Sequence, residues 1–285
     1  MKTSMKWAAF FARILPSPIK RWVYRIKPLA KIIRNRLNAT IPEGIIEVEV
    51  AAGILQGACL KLDLQQEKDY WLGTYELDLQ AAAKKYVKPG MCIYDVGANI
   101  GYMSLLFSKI LDERGKVFAF EALPENIRRL EENIQCNAFG KLIHVIPAAI
   151  VEKSGLTEFY QHASGAMGKA VGSAGRQEAY QNTITVQALS LDDFVFVKKQ
   201  AKPNLVKMDI EGGEALALQG MQKLLGKVKP ILFIEIHGDV AGQIAWKILK
   251  KFAYQILRMG EGQEKITTRD QIQPKDYLIA LPPQK

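Results

Sequence analysis

Cysteine is scarce in this 285-residue chain: there are three, Cys59, Cys92 and Cys136. They are too few and too scattered for a disulfide framework, and they lack the ligand spacing of a zinc site. Cys92 lies in an apolar run and reads as core, and a reducing compartment is the simplest setting for so sparse a complement. Long apolar runs are missing as well. No stretch reaches the ~20 residues that span a bilayer, and Arg13 interrupts an already short apolar stretch that would otherwise suggest a secretory signal. Acidic residues are absent from residues 1–40, which hold ten Lys or Arg; taking those ten from the total of 39 leaves 29 basic groups against 29 acidic ones. The net charge of +10 therefore belongs to an N-terminal arm. A balanced remainder argues against a nucleic-acid groove spread over the body, and no nucleic-acid partner is expected.

The arm is amphipathic. Trp7, Phe10, Phe11 and Ile14 recur at helical spacing, as do Trp22, Ile26, Leu29 and Ile33 after the break at Pro16 and Pro18. Two readings of residues 1–36 stay open. Their apolar faces pack on the domain or on a second copy of the chain in a homodimer, or their aromatic and basic residues lie against an anionic membrane. The expected location is cytoplasmic, with peripheral contact at the inner face of the membrane under the second reading.

Hydrophobic residues at 48% and charged residues at 24% fit a soluble core. Three regions are expected: the arm over 1–40, a short hairpin and helix over 41–88, and a main domain over 89–285 with an inserted flexible loop at about 161–181. Met91–Val96, Lys116–Glu121, Leu142–Ala148, Leu205–Met208 and Ile231–Ile236 read as strands separated by helical patterns. Such alternation predicts a mostly parallel sheet with helices on both faces. Leu156–Tyr160 and Ile184–Val186 read as antiparallel strands, and the tail adds an antiparallel pair.

Ligands bind such sheets beyond the carboxyl ends of the strands. The first such end carries Asp95, Gly97, Ala98, Asn99 and Gly101, a strand running into a glycine turn and a helix. A carboxylate at Asp95 suits the ammonium of an amino-acid ligand better than a pyrophosphate. Glu121, closing the second strand, is placed to accept two ribose hydroxyls, although a nicotinamide enzyme has an equivalent acid. Together they point to S-adenosylmethionine, and the third glycine of a dinucleotide fingerprint is missing. Ala148 and Ala149 either line the adenine pocket or pack in the core, and His144 reads as a core histidine.

The chain resembles the FkbM family of S-adenosylmethionine-dependent methyltransferases over about residues 68–240. The likeness is carried in order by Gly73–Glu76, Tyr94–Tyr102, Phe120-Glu121 with Asn133, Ser190–Phe194, Val206–Gly212, Glu214 and Ile234–His237. Val206-Lys-Met-Asp-Ile-Glu-Gly212 is the most specific of these. Ala122-Leu123-Pro124 departs from the family's Glu-Pro start after the second strand but leaves Glu121 in place. The resemblance implies a Rossmann-like class I fold with a central, mostly parallel seven-stranded sheet, and cofactor contacts from Asp95, Gly97, Asn99 and Glu121. It also implies O-methylation of a hydroxyl on a sugar, glycan or glycosylated small molecule.

Asp209 and Glu235 stand at the ends of successive strands, and His237 follows. An alcohol is a poor nucleophile until a base can take its proton. His237 is the expected base, because an ordinary imidazole is partly neutral near pH 7. Asp209 is the second choice and also borders the cofactor, and Glu235 completes the catalytic group. The same three residues could hold a divalent ion such as magnesium, although no spacing fixes a metal. Lys207 reads as an ion-pair partner, and Glu211 and Glu214 as acceptors at a helix start. The alternatives are a cofactor-binding scaffold without turnover, or a methyltransferase for another small-molecule or nucleic-acid acceptor. The latter lacks the base-site motifs of nucleic-acid enzymes.

Overall fold

The computed structural model describes Phe10 and residues 44–162, 168–173 and 180–283. Apart from Phe10, the expected arm over 1–40 lies outside them, as do residues 163–167 and 174–179 of the expected loop. Among the described residues, no helix is long and apolar enough to cross a membrane.

The chain opens with an antiparallel hairpin, β1 (Ile45–Glu49) and β2 (Cys59–Asp63), followed by helices α1 (Lys68–Leu72) and α2 (Leu77–Tyr86). The main sheet begins with β3 (Cys92–Val96), α3 (Tyr102–Leu111), β4 (Lys116–Glu121), α4 (Pro124–Cys136) and β5 (Ile143–Pro147). After an excursion through β6 (Ala149–Ile150), β7 (Gly155–His162), β8 (Gly168–Ala170) and β9 (Tyr180–Leu189), the chain returns. It does so as β10 (Leu205–Met208), α5 (Glu214–Gln219), α6 (Gln222–Lys227), β11 (Ile231–Glu235) and α7 (Asp239–Lys251). It closes with β12 (Gln255–Arg258), β13 (Lys265–Ile266) and β14 (Tyr277–Leu281).

These strands do not form the expected single, mostly parallel seven-stranded Rossmann-like sheet. They form an eight-stranded mixed sheet, ordered β13-β12-β14-β11-β10-β3-β4-β5, and a separate four-stranded sheet, β6-β9-β7-β8. Strands β11, β10, β3, β4 and β5 run parallel, and β14, β12 and β13 are joined by antiparallel pairs. Two physical reasons account for the difference. The tail yields three strands, because the two-residue β13 has no sequence signal of its own. In addition, β7 buries only Phe159 of its eight residues, so it does not suit a sheet covered on both faces and builds a second sheet with β9. Residues 168–170, expected within the flexible loop, are strand β8 paired with β7.

Alternation along the parallel strands divides the core between two faces. Ile93, Leu205 and Phe233 face Trp71, Leu79 and Phe107 under the hairpin, α2 and α3. Tyr94, Val206 and Ile234 face Phe194, Leu224 and Leu249. Burial on both sides explains why these strands read as continuous apolar runs.

Helix α4 ties the hairpin to the main sheet. The Asn133 side chain accepts from the Lys61 N–H and donates to the Ile100 carbonyl, both at 2.8 Å. Arg129 pairs with Glu67 at 2.6 Å in a largely buried setting. The expectation of unpaired cysteines fails here: Cys59 and Cys136 form a disulfide with Cα atoms 5.9 Å apart, across 77 residues of sequence. Cys92 is free.

Candidate active site

A cavity of about 300 Å³ opens at the carboxyl ends of β3, β4 and β10. The turn after β3 forms its floor because it comes unusually close to β10. A Cβ on Gly97 would sit 2.0 Å from the Asp209 carbonyl oxygen, and φ there is +79°, so only glycine fits. Asn99 takes a left-handed φ of 50°, and its N–H donates to Glu121 Oε2 at 2.8 Å. The N–H groups of Ala122 and Leu123 donate to Oε1 at 3.0 and 2.9 Å. Burial raises the Glu121 carboxyl, and these N–H groups with Asn126 oppose that rise. The result is a carboxylate held rigidly in the cavity wall. Gly97, Ala98, Asn99, Glu121, Ala149 and Asp209, all read from sequence, line this one space, together with Ala148.

Asp95 and Gly101 do not line it. Asp95 is fully buried behind the turn, where Ser104 Oγ donates to its Oδ2 at 2.6 Å. Lys207, its register partner on β10, brings its ammonium 3.2 Å from Oδ1 and donates to the Gly97 carbonyl at 2.8 Å. Burial opposes the Lys207 charge, but Asp95 and then Asp209 outweigh it and hold the ammonium above its usual range. Asp95 therefore fixes the turn through Lys207. A Cβ on Gly101 would meet Leu130 Cδ1 at 2.5 Å, so this glycine serves the packing of α4.

The Asp209 end of the cavity meets the second group. Because β10 and β11 pair in parallel, with Met208 opposite Ile234, their following residues emerge side by side. The His237 Nε2 atom stands 3.5 Å from Glu235 Oε1, 3.8 Å from Glu211 Oε2 and 3.9 Å from Asp209 Oδ1. Its Nδ1 is 2.9 Å from Glu214 Oε1, which also accepts from Ile210 N and Gly212 N at 3.1 Å. Burial opposes the imidazolium, but Glu214, then Glu235 and Asp209, overcome it and push His237 up to about 9. Burial, followed by the charge of Asp209, pushes Glu235 up to about 8. Asp209, Glu235 and His237 each offer an atom within 4.8 Å of the others. Two carboxylate oxygens and an imidazole nitrogen are donors suited to a divalent cation, with Glu214 orienting the ring behind them.

Sequence reading missed several residues at this junction. Tyr70, Tyr75 and Tyr102 cluster with ring centroids 4.4–5.5 Å apart and line the cavity. Tyr277 OH donates to Asp209 Oδ2 at 3.3 Å. Glu76 is half-buried near Asp209, whose charge, after burial, pushes its carboxyl up to about 7. Tyr75 and Glu76 stand in a segment with a recognisable pattern, but pattern alone does not bring them to the end of β10. Nothing local marks Tyr277.

Residues 95–258 match the family model for the methyltransferase FkbM domain. Over 181 residues the chain is 29% identical to the hexuronic acid methyltransferase AglP of Haloferax volcanii, covering 63% of this chain and 70% of that protein. It is 33% identical over 55 residues to protein-L-isoaspartate O-methyltransferase 1 of Arabidopsis thaliana, covering 19% of this chain and 24% of that one. The crystal structure of methyltransferase FkbM from Methylobacillus flagellatus aligns with a TM-score of 0.46 at 18% identity, over 75% of this chain and 52% of that one. The chain thus spans about half the length of that solved structure.

Proposed function

The chain belongs to the FkbM family of S-adenosylmethionine-dependent methyltransferases, and we propose that it O-methylates a ring hydroxyl of a hexuronic acid or a related sugar unit. The observation that carries this reading is the position of Asp209, which lines the cavity and also stands 3.9 Å from His237, beside Glu235. One carboxylate thus borders both a cofactor-sized cavity and a group able to manage a proton. The sugar-acid acceptor is taken from the relative whose name specifies it.

The residues present fit the cofactor. The backbone of the turn at Gly97, Ala98 and Asn99 borders the cavity, and Glu121 presents a fixed carboxylate to it. Gly97, Ala98, Asn99, Glu121, Ala149 and Asp209 would hold it. Asp95 is assigned to keeping the turn in shape, in place of the ammonium contact expected from sequence. When bound, S-adenosylmethionine supplies a methyl carbon made electrophilic by its sulfonium.

The remaining chemistry belongs to the side chains. An imidazole raised to about 9 is protonated near pH 7, which favours a carboxylate neighbour over His237 as the base. Glu235, raised to about 8, is more basic than an ordinary carboxylate but is itself mostly protonated near pH 7, so it takes the hydroxyl proton only in its ionised fraction, which grows as pH rises; Asp209 stands beside it. His237 supplies the positive charge that keeps the carboxylates together. A divalent ion on Asp209, Glu235 and His237 would add a Lewis acid that lowers the pKa of a bound hydroxyl.

Methyl transfer from labelled S-adenosylmethionine to 4-nitrophenyl β-D-glucuronide, with magnesium and with EDTA, tests the reading. A singly O-methylated glucuronide is expected, and Glu121→Ala is expected to weaken cofactor binding about 10- to 100-fold by calorimetry. Cofactor binding without transfer to this or any other hydroxylated sugar would leave a binding scaffold instead.

A further inference from the structure

One face of the four-stranded sheet closes the cavity. Partners across two paired strands point to the same face, as do alternate residues along one strand. Phe159 on β7 pairs with Ala170 on β8 and with Ile184 on β9, and Val186 and Ala188 follow Ile184 at alternate positions. Ala149 on β6 pairs with Ala188. These residues therefore share one face, and it is apolar. They form a cluster with Ala122 and Leu123, which directly follow Glu121. Ala149, Phe159 and Ala170 also border the cavity, together with Gly168.

A glycine seats the Phe159 ring. A Cβ on Gly168 would stand 2.3 Å from Phe159 Cε1 and 2.7 Å from the Tyr160 carbonyl oxygen. Gly168 takes no left-handed φ, so its own backbone does not demand glycine; the ring and the carbonyl do. The chain thus gives up a side chain on β8 to let the ring lie close at the cavity wall. Phe120 borders the cavity as well, but its ring is packed with Tyr94 and Phe194, whose centroids are 5.3 and 5.1 Å away. The apolar face adjoins Glu121 directly, because the N–H groups of Ala122 and Leu123 are the ones that fix its Oε1, at 3.0 and 2.9 Å. In adenosine the base is bonded to the carbon next to the one bearing the 2′-hydroxyl. A ribose held at Glu121 therefore has its base close to the same place. A purine is planar and has apolar faces, so an aromatic ring among alanines suits it.

We propose that Phe159 is a cofactor-binding residue whose ring forms a wall of the adenine pocket, with the inner face of the four-stranded sheet as the outer side of that pocket. The second sheet is then part of the cofactor site. This assignment depends on S-adenosylmethionine as the cofactor and is independent of which acceptor is methylated.

The test is calorimetry of S-adenosylhomocysteine binding to wild type, Phe159→Ala, Phe159→Leu and Val186→Ala, with melting temperatures measured alongside. Val186 shares the apolar face but does not border the cavity, so it reports what loosening that face does by itself. Phe159→Ala should raise Kd about tenfold. Phe159→Leu keeps apolar bulk without a ring and should raise it about threefold or more. Val186→Ala should melt below wild type while its Kd stays within about twofold. Should Phe159→Ala fail to fold, Phe159→Leu carries the comparison. An unchanged Kd in the Phe159 variants would overturn the assignment. Wild-type affinity in Phe159→Leu would overturn it too, since bulk and not the ring would then be what matters. So would a loss in Val186→Ala as large as in the Phe159 variants, which would reduce Phe159 to packing. A folded wild type that does not bind S-adenosylhomocysteine would overturn the cofactor site as a whole, whereas a binding wild type with unaltered variants would overturn the role of Phe159 alone.

Discussion

Four carboxylates stand within 3.9 Å of the His237 ring nitrogens, and they change what the ring can do. An isolated imidazole near its ordinary 6.5 is a natural base, which is how the sequence reads; held at about 9, it is a cation. The same crowding carries a pH signature. Glu76, Glu235 and His237 all bind a proton more tightly folded than unfolded, with folded values of about 7, 8 and 9. The stability they contribute is complete below their unfolded values, 4.5 for the carboxyls and 6.5 for the imidazole, and is lost as pH rises through the folded ones. The melting temperature of the cofactor-free protein should therefore fall between about pH 5 and 9, and Glu235→Gln should flatten the part below about pH 8. Scanning fluorimetry across that range checks this, and a parallel slope in wild type and variant would contradict it. That Gly97, Asn99, Glu121 and Asp209 stand at strand ends facing one cavity was legible, because strand and turn patterns mark them locally. The inward turn of Asp95 was not, since its partner Lys207 is set by sheet register between distant segments.

At the scale of elements, α4 reaches in two directions. Asn133 holds the hairpin at Lys61 and the cofactor turn at Ile100, and Cys136 is bonded to Cys59. That bond closes a long loop, so reducing it releases chain entropy in the unfolded state. Reduction by dithiothreitol should lower stability by about 2–4 kcal/mol in urea denaturation; an unchanged midpoint would show that the bond adds nothing. The pairing was invisible in sequence because 77 residues separate the two cysteines. Helix and strand periodicity did expose the parallel strands β3, β4, β5, β10 and β11, whose apolar runs follow from burial on both faces. It failed at β13, which is two residues long. It also failed to separate β7 and β9 into their own sheet, because strand pattern alone does not say which sheet a strand joins. Ser190–Phe194, noted only as part of the resemblance, has a capping role: Asp192 accepts from Lys223 N and Leu224 N at the start of α6, at 2.9 and 2.8 Å.

Across the whole molecule, the two halves of the candidate site come from different stretches of the chain. The family match over 95–258 contains the cofactor turn, Glu121, Asp209, Glu235 and His237. Tyr70, Tyr75, Glu76 and Tyr277 lie outside it, on the hairpin–helix unit before the main sheet and on its last strand. The division is one of chain position, since Gly73–Glu76 itself carries part of the family likeness. It also explains why the acceptor side was the less legible: its residues meet only when the chain ends fold against the sheet. Under the proposed function, Glu235 acts on the acceptor side of Asp209 without holding the cofactor. Calorimetry of S-adenosylmethionine binding by Glu235→Gln, run beside methyl transfer to 4-nitrophenyl β-D-glucuronide, tests it most directly. A cofactor Kd within twofold of wild type with transfer reduced about 100-fold or more is expected. Transfer at the wild-type rate, or collapse of cofactor binding, would contradict it.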